Sequence, residues 1–114
     1  LWSRGLGDVY KRQLKYIDID DNGELMLDQL DDYLSTGKVK LVTFSHMSNV
    51  LGTISPVEEI VSKCKNAGVK VLIDAAQSVP HMKVNLNEIG CDFFVFSGHK
   101  MLGPTGVGVL WAKK

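Results

Sequence analysis

The sequence predicts an α/β fold of three layers, in which a mostly parallel sheet contains one antiparallel strand. Short apolar runs alternate with segments whose apolar residues recur at helical spacing, and this alternation is typical of parallel strands joined by crossover helices. Only about ten residues separate the last two apolar runs. That length is too short for a helical crossover, so we expect the last strand to run antiparallel to its predecessor.

The first half of the chain contains two predicted strands with a helix between them. Apolar and polar residues alternate over residues 15–20, which predicts a half-exposed strand, and residues 21–23 form a turn signal. The leucines that follow predict a helix with Asp28 as its N-cap and Gly37 at its end. Residues 39–44 are β-branched and mostly apolar, which predicts a strand covered on both faces.

A second helix is predicted from a strong start signal. Ser55 is suited to the N-cap, Pro56 to the first helical position, and Glu58 completes a capping box. Gly68 marks the end of this helix. The apolar residues that share its buried face are Val57, Ile60, Val61 and Cys64.

Three further strands are predicted after this helix, over residues 69–74, 92–96 and 107–112. Residues 75–80 are expected to form a turn or a short helix. Residues 84–89 are expected to form a brief helical or irregular segment.

Composition and charge argue against several classes of partner. The chain has 114 residues, enough for one small domain, and its formal net charge is zero. A protein without a basic excess is not expected to bind nucleic acid or an acidic membrane surface. No apolar run is long enough to span a bilayer, and no leader pattern is present. We therefore expect a cytoplasmic protein.

The ends and the cysteines of the chain carry two further expectations. Residues 1–13 follow neither a helical nor a strand period, so we interpret them as an arm, a candidate for non-native sequence, ahead of a domain over residues 14–114. Cys64 and Cys91 have neither a metal-type spacing nor a disulfide framework, which fits a reducing compartment. We expect both to be small core residues rather than nucleophiles, and we expect no metal site.

Three predicted loops leave the carboxyl ends of the strands, where ligands bind in open α/β sheets. They cover residues 45–52, 74–78 and 97–103. Lys100 lies in the third loop, between an apolar strand and a glycine-rich run. Apolar neighbours can lower the pKa of a lysine until its free amine acts as a nucleophile or a base, and this is the hypothesis for Lys100.

The other polar residues on these loops have a structural and a functional interpretation. Asp74 either caps the turn after its strand or presents a carboxylate to a cationic ring nitrogen, with the small Ala76 nearby leaving room for a flat ligand. Ser97 and His99 either bond to the turn backbone or form a phosphate cradle. Gln77 is either a surface residue or a ligand of a ring oxygen.

The loops also contain two residues with a common structural role, and they lack the usual nucleotide-binding motifs. Asn49 and His46 have the residue types that commonly satisfy loop backbone groups. No Walker A motif is present, and the glycines of residues 103–108 are in the wrong order for a dinucleotide fingerprint and open a strand rather than a helix.

Four segments together resemble the cysteine desulfurases. They are SHMSNVLG at residues 45–52, DAAQS at residues 74–78, CDFFVFSGHK at residues 91–100 and GPTGVG at residues 103–108. Cysteine desulfurases are enzymes of the class-V aminotransferase group that depend on pyridoxal 5'-phosphate (PLP). The residue sequences of these segments are similar to those of the Suf-type branch. The resemblance covers residues 14–114 and implies part of the PLP-binding large domain of the type I aminotransferase fold.

The resemblance also implies a role for each of the loop residues in holding PLP. Lys100 would form the Schiff base with PLP and later move the substrate Cα proton. Asp74 would pair with the protonated pyridine nitrogen. Gln77 would bond to the ring's phenolic oxygen, Ala76 would pack on one ring face, and Asn49 would lie near the ring oxygen and the substrate carboxylate. The phosphate would be bound by Ser97 and His99.

The resemblance further implies a reaction and its partners. L-cysteine would be converted to L-alanine and an enzyme persulfide, which supplies sulfur for iron–sulfur clusters through an acceptor protein, and the full-length enzyme would be a homodimer. The cysteine that takes the sulfur would come from beyond residue 114, so we expect the fragment alone to be inactive. Two alternatives stay open: another class-V PLP enzyme, such as a selenocysteine lyase or an aminotransferase, and a non-catalytic α/β fragment.

Overall fold

The sheet of the protein has four strands that lie side by side in chain order. The computed structural model describes residues 13–46, 54–75, 85–97 and 108–114. Its strands are β1 (Leu41–Ser45), β2 (Lys70–Asp74), β3 (Phe93–Ser97) and β4 (Gly108–Ala112). β1 pairs with β2 and β2 with β3 in parallel, whereas β3 and β4 are antiparallel. The predicted mostly parallel sheet with an antiparallel last strand is therefore confirmed.

Three helices are described, and they are α1 (Leu27–Ser35), α2 (Val57–Asn66) and α3 (Leu86–Ile89). The brief helix expected near residue 89 is confirmed as α3. Gly37 and Gly68 follow α1 and α2 with φ angles of +68° and +70°, a left-handed conformation that ends a helix and suits glycine. The helix ends predicted at these two glycines are therefore confirmed. No helix in the described ranges is long and apolar enough to cross a membrane.

The core lies between α2 and one face of the sheet. The four apolar residues predicted for the buried face of α2 are all buried, and they share one cluster with Val71 and Ile73 of β2 and Phe94 of β3. The strand register joins Ile73 to Phe44 on one side and to Phe94 on the other. Because strand residues alternate between faces, these residues form one row on the face that α2 covers.

The opposite face of the sheet is partly exposed in the described residues. Leu41 on β1 is 49% exposed and Leu110 on β4 is 64% exposed, and Thr43 is exposed as well. The prediction that the first long strand is covered on both faces is therefore wrong, because β1 is at the edge of the described sheet and the described helices pack on one face. Two of the three predicted layers are therefore seen in the described residues, namely the sheet and the helices on one of its faces.

The strand predicted over residues 15–20 does not form. This segment makes only an isolated antiparallel bridge between Ile19 and Leu25. Asp20 accepts hydrogen bonds at Oδ1 from the amides of Asn22 and Glu24, each at 2.9 Å. These local bonds close a tight hairpin, and no neighbouring strand in the described residues extends it into the sheet.

Helix α1 begins two residues earlier than predicted. Met26 is at the N-cap position and no side chain caps the helix, so the prediction of Asp28 as N-cap is wrong. Asp28 lies instead in the first turn, where a carboxylate still interacts favourably with the positive end of the helix dipole.

The capping box predicted for α2 is also wrong. Pro56 is at the N-cap position, and α2 has no side-chain cap hydrogen bond. The hydroxyl of Ser55 donates instead to the backbone carbonyl of Ser45, at 2.6 Å. A tertiary contact with the end of β1 has therefore replaced the local cap.

Candidate functional site

The end of β2 presents a carboxylate at the edge of the sheet. Asp74 is the last residue of β2 and its side chain is exposed, whereas its neighbours Ile73 and Ala75 are 0% exposed. Alternation along the strand turns Asp74 to the face opposite the α2 core. A carboxylate in this position can meet a ligand that lies beyond the carboxyl ends of the parallel strands.

β1 and β2 stay paired up to their last residues, and β3 continues two residues beyond its pair with Asp74. Ser45 is the register partner of Asp74, and Asp74 is the register partner of Val95. Beyond these pairs, the amide of His46 donates to the carbonyl of Asp74 and the amide of Ala75 donates to the carbonyl of Val95, each at 2.8 Å. The three candidate loops therefore leave the sheet from adjacent points.

The structure describes only part of the predicted site. The backbone of Ser97 ends β3, two residues beyond the register partner of Asp74, so these two predicted site residues lie on adjacent strand ends. The remaining predicted site residues lie outside the described residues, and they are Asn49, Ala76, Gln77, His99 and Lys100. Their roles stay predictions.

The base of the first loop is closed by hydrogen bonds. The Ser55 amide donates to the carbonyl of His46 at 2.9 Å, and the Ser55 hydroxyl donates to the carbonyl of Ser45 at 2.6 Å. The segment between these residues contains Asn49 and thus starts and ends beside the end of β1. The local sequence does not reveal these contacts, because a serine before a helix is typical of an N-cap.

His46 is a buried titratable residue beside Asp74. Its side chain is 7% exposed, and burial lowers the pKa of the imidazole below its ordinary value of 6.5. The period of β1 was the signal that could have predicted this burial, since His46 comes two residues after Phe44, which packs against the core. A neutral imidazole is therefore favoured at neutral pH.

Both cysteines of the chain are core residues, as predicted. Cys64 and Cys91 are free thiols with 0% exposure. Burial raises the pKa of both thiols, which disfavours the nucleophilic thiolate. Across the described ranges, no three histidine, cysteine or acidic side chains are grouped so that they could hold a metal ion.

The chain resembles known proteins in both sequence and fold. The class-V aminotransferase family model matches residues 4–114. A probable cysteine desulfurase of Halalkalibacterium halodurans is 50% identical over 101 residues, which are 89% of this chain and 25% of that protein. The apo structure of a cysteine desulfurase from Thermococcus onnurineus NA1 matches with a TM-score of 0.87 and 41% identity, over 99% of this chain and 28% of that one.

A third similar structure was solved with a ligand. SspA, solved in complex with cysteine, matches with a TM-score of 0.83 and 25% identity, over 96% of this chain and 31% of that one. The chain spans about a quarter of the length of the curated relatives it matches. The match of the family model over nearly the whole chain, together with these relatives, establishes that the chain belongs to the class-V aminotransferase family.

Proposed function

We propose that the chain is part of a longer PLP-dependent cysteine desulfurase of the Suf-type branch, which we call the parent protein. The parent protein would convert L-cysteine into L-alanine and an enzyme-bound persulfide. The high identity to relatives named cysteine desulfurase supports this reaction. The SNVLG and SGHK segments, which resemble Suf-type enzymes, support the branch.

The observation that carries the proposal is the position of Asp74. It supplies an exposed carboxylate at the end of a strand whose preceding residue is fully buried. A carboxylate is the group that pairs with a protonated ring nitrogen, so this part of the site fits PLP. When bound, PLP supplies an electron sink for the charge that develops at the substrate Cα.

Different residues of the chain would bind PLP and transfer the proton of the substrate. Lys100 would hold the cofactor covalently and then move the proton at the substrate Cα. Asp74 would keep the ring nitrogen protonated. Ser97 and His99 would bind the phosphate by charge-assisted hydrogen bonds.

The faces and edges of the ring would be held by the remaining residues. Ala76 would pack against one face, where its small side chain leaves room for a flat ring. Gln77 would donate to the ring oxygen. Asn49 would lie near the same oxygen and near the substrate carboxylate, and so would orient the substrate.

The cysteine that accepts the sulfur would belong to the parent protein outside this chain. Cys64 and Cys91 are both buried, and burial raises the pKa of both thiols. Attack on a substrate sulfur needs an accessible thiolate. We therefore expect that the 114-residue chain does not release alanine from L-cysteine.

The proposal extends to the location, the oligomeric state and the partners of the parent protein. We propose that it is a cytoplasmic homodimer that passes its sulfur to an acceptor protein for iron–sulfur cluster assembly. The formal net charge of zero supports protein and small-molecule partners rather than nucleic acid or a membrane surface.

The experiment that tests the proposal is a product assay on the parent protein. L-cysteine with a thiol reductant should give equal amounts of alanine and sulfide, and Lys100→Arg should abolish both while keeping the positive charge. L-selenocysteine is the comparison substrate. A strong preference for selenocysteine, or transamination without sulfide release, would assign the parent protein to a different class-V activity.

A further inference from the structure

We propose that a cavity beside the amino-terminal ends of β2 and β3 binds a small multivalent anion of the phosphate class, such as pyrophosphate. The cavity lies at the end of the sheet opposite the candidate cofactor site, and its lining residues all belong to the described ranges. The inference goes beyond the proposed function and does not depend on it.

Three segments that are distant in sequence meet at this cavity. They are the end of α2 with the start of β2, the residues just before β3, and the residue after β4. Asp92 joins them through its backbone, because its amide donates to the carbonyl of Val71 at 3.1 Å and its carbonyl accepts from the amide of Lys113 at 2.9 Å. These bonds hold together the walls of a cavity of about 220 Å³.

The lining of the cavity has an excess of positive charge. Lys65, Lys70 and Lys113 line it together with one acidic residue, Asp92. The chain as a whole has a formal net charge of zero, so this excess is local and does not reflect the overall composition. A cleft lined by one sign of charge raises the local concentration of ligands of the opposite sign.

The single carboxylate does not neutralise the three lysines. Oδ2 of Asp92 accepts from the amide of Val71 at 2.9 Å, and Oδ1 lies 3.4 Å from Nζ of Lys70. Lys65 and Lys113 are exposed, and within the part of the chain that the structure describes neither of them forms an ion pair. Two ammonium groups are therefore available to an incoming anion.

The buried side of the cavity is apolar. Val61, Val69 and Val71 line it, and each is at most 8% exposed. An apolar wall keeps water from one side of a bound anion and so strengthens its attraction to the ammonium groups. Gly90 also lines the cavity, and a Cβ at this residue would lie 4.0 Å from Nζ of Lys65. A glycine therefore leaves space beside this ammonium group.

The carboxyl end of α2 opposes anion binding, but its effect is limited. The negative end of a helix dipole repels an anion. Lys65 lies in the last turn of α2, so its charge offsets this repulsion. The carbonyls at this end are also engaged, since those of Lys63, Cys64 and Lys65 accept hydrogen bonds from the amides of Ala67, Gly68 and Val69.

The size of the cavity favours a small ligand with several charges. Its volume of about 220 Å³ is below the roughly 300–1,000 Å³ of clefts that hold drug-sized molecules. Phosphate groups concentrate charge and acceptor oxygens in a small volume, and lysine ammonium groups bind them through charge-assisted hydrogen bonds. An acidic peptide would extend beyond the cavity, so a small anion is the better match.

The test is isothermal titration calorimetry of inorganic pyrophosphate into the parent protein carrying PLP, which occupies the phosphate site proposed above. The variants are Lys65→Ala, Lys113→Ala and Asp92→Asn. Lys63→Ala is the matched control, because it removes the same charge from the same helix, whereas Lys63 pairs with Asp31 and does not line the cavity.

We expect Lys65→Ala and Lys113→Ala each to weaken pyrophosphate binding about fivefold or more, because each removes a charge-assisted hydrogen bond. Asp92→Asn should tighten binding by a similar factor, since it removes the negative charge of the cavity and keeps an acceptor for the Val71 amide. Lys63→Ala should change the affinity by less than about twofold, because its charge lies outside the cavity.

Four results would overturn the inference. One is the absence of pyrophosphate binding to the wild-type protein. Another is equal weakening by Lys63→Ala and Lys65→Ala, which would assign binding to the overall charge. A third is an affinity that Asp92→Asn leaves unchanged or lowers. The fourth is tighter binding of a hexaglutamate peptide than of pyrophosphate, which would identify the cavity as a docking site for an acidic protein segment.

Discussion

Asp74 and His46 lie beside each other at the ends of two paired strands, yet their side chains have opposite environments. The side chain of Asp74 is exposed on the open face of the sheet, whereas that of His46 is buried on the side of the core. The backbone hydrogen bond from His46 to Asp74 joins them at 2.8 Å. At the residue scale, the strand period therefore separates a candidate ligand from a structural residue within one corner of the fold.

The exposed carboxylate of Asp74 can be tested by a substitution that keeps its shape. Asp74→Asn removes the charge that would hold the ring nitrogen protonated, so we expect at least about a tenfold loss of desulfurase rate in the parent protein, which corresponds to about 1.4 kcal/mol. The measurement is the rate of alanine release at saturating L-cysteine.

Asp32→Asn is the control for this substitution. Asp32 is an exposed aspartate on α1, so its replacement should leave the rate unchanged. Equal rates for Asp74→Asn and Asp32→Asn would contradict the role assigned to Asp74.

The buried imidazole of His46 makes a prediction about stability and pH. Its pKa in the folded chain lies below 6.5, whereas the unfolded chain takes up the proton near 6.5. Between these two values the unfolded state binds more protons, so the free energy of unfolding falls as pH decreases below 6.5 and levels off below the folded pKa. Urea unfolding from about pH 8 to about pH 5 measures this dependence.

His46→Gln cannot titrate in this window and should have a flatter profile. The other two histidines of the chain are the same in both proteins, so the difference between the two profiles isolates His46. Parallel profiles over the whole range would show that burial of His46 does not carry the pH dependence.

At the scale of elements, Asp92 ties together the end of the sheet opposite the candidate site. Its Oδ2 accepts from the amide of Val71 at 2.9 Å, and its own amide donates to the carbonyl of Val71 at 3.1 Å. Its carbonyl accepts from the amide of Lys113 at 2.9 Å. One residue before β3 therefore joins the start of β2 to the residue after β4.

The protonation of Asp92 reflects these contacts. Partial burial alone would raise the pKa of the carboxyl, but the Val71 amide together with the charges of Lys70 and Lys113 holds it below its ordinary value of 3.8. The Lys70 contact is long, at 3.4 Å, and its side chain is 68% exposed. The hydrogen bond from the Val71 amide, rather than the ion pair with Lys70, is therefore the main interaction of this carboxylate.

Two substitutions of Asp92 separate its hydrogen bond from its charge. Asp92→Ala removes the side-chain acceptor of the Val71 amide, so we expect the free energy of unfolding to fall by about 1–3 kcal/mol. Asp92→Asn keeps an acceptor oxygen and loses the exposed ion pair, so a change below about 1 kcal/mol is expected. Urea unfolding at neutral pH measures both, and an equal loss in the two variants would assign the effect to charge.

The elements that sequence could predict are those set by local pattern. The burial of Val57, Ile60 and Val61 follows from helical spacing alone, and the direction of β4 follows from a connection too short for a crossover. Residues 15–20 also have a strand pattern, but a strand needs a partner, and local bonds from Asp20 close a hairpin instead.

Other features of the elements depend on tertiary contacts that a local pattern does not contain. The exposure of Leu41 follows from the position of β1 at the edge of the described sheet, and an apolar run has the same sequence at an edge as at a centre. The acceptor of the Ser55 hydroxyl lies ten residues away at Ser45, and the local pattern of a serine before a helix predicts an N-cap instead.

At the scale of the whole molecule, the proposed site would draw on residues that follow three strand ends of one sheet. The position of Asp74 at the end of β2 was predicted correctly, because this acid directly follows the apolar residues of the strand. The chemistry of Lys100, His99 and Gln77 came from resemblance of motifs, since their residue types alone also suit a surface loop. One measurement tests their proposed contribution directly.

That measurement is the identity of the lysine that carries the cofactor. The parent protein is mixed with an equal amount of PLP, reduced with borohydride, digested, and the modified peptide is located by mass spectrometry, with Lys100→Arg as the matched variant. The account predicts a phosphopyridoxyl group on Lys100 that is absent in the variant. An unmodified Lys100, or the same distribution of modified lysines in both proteins, would contradict it.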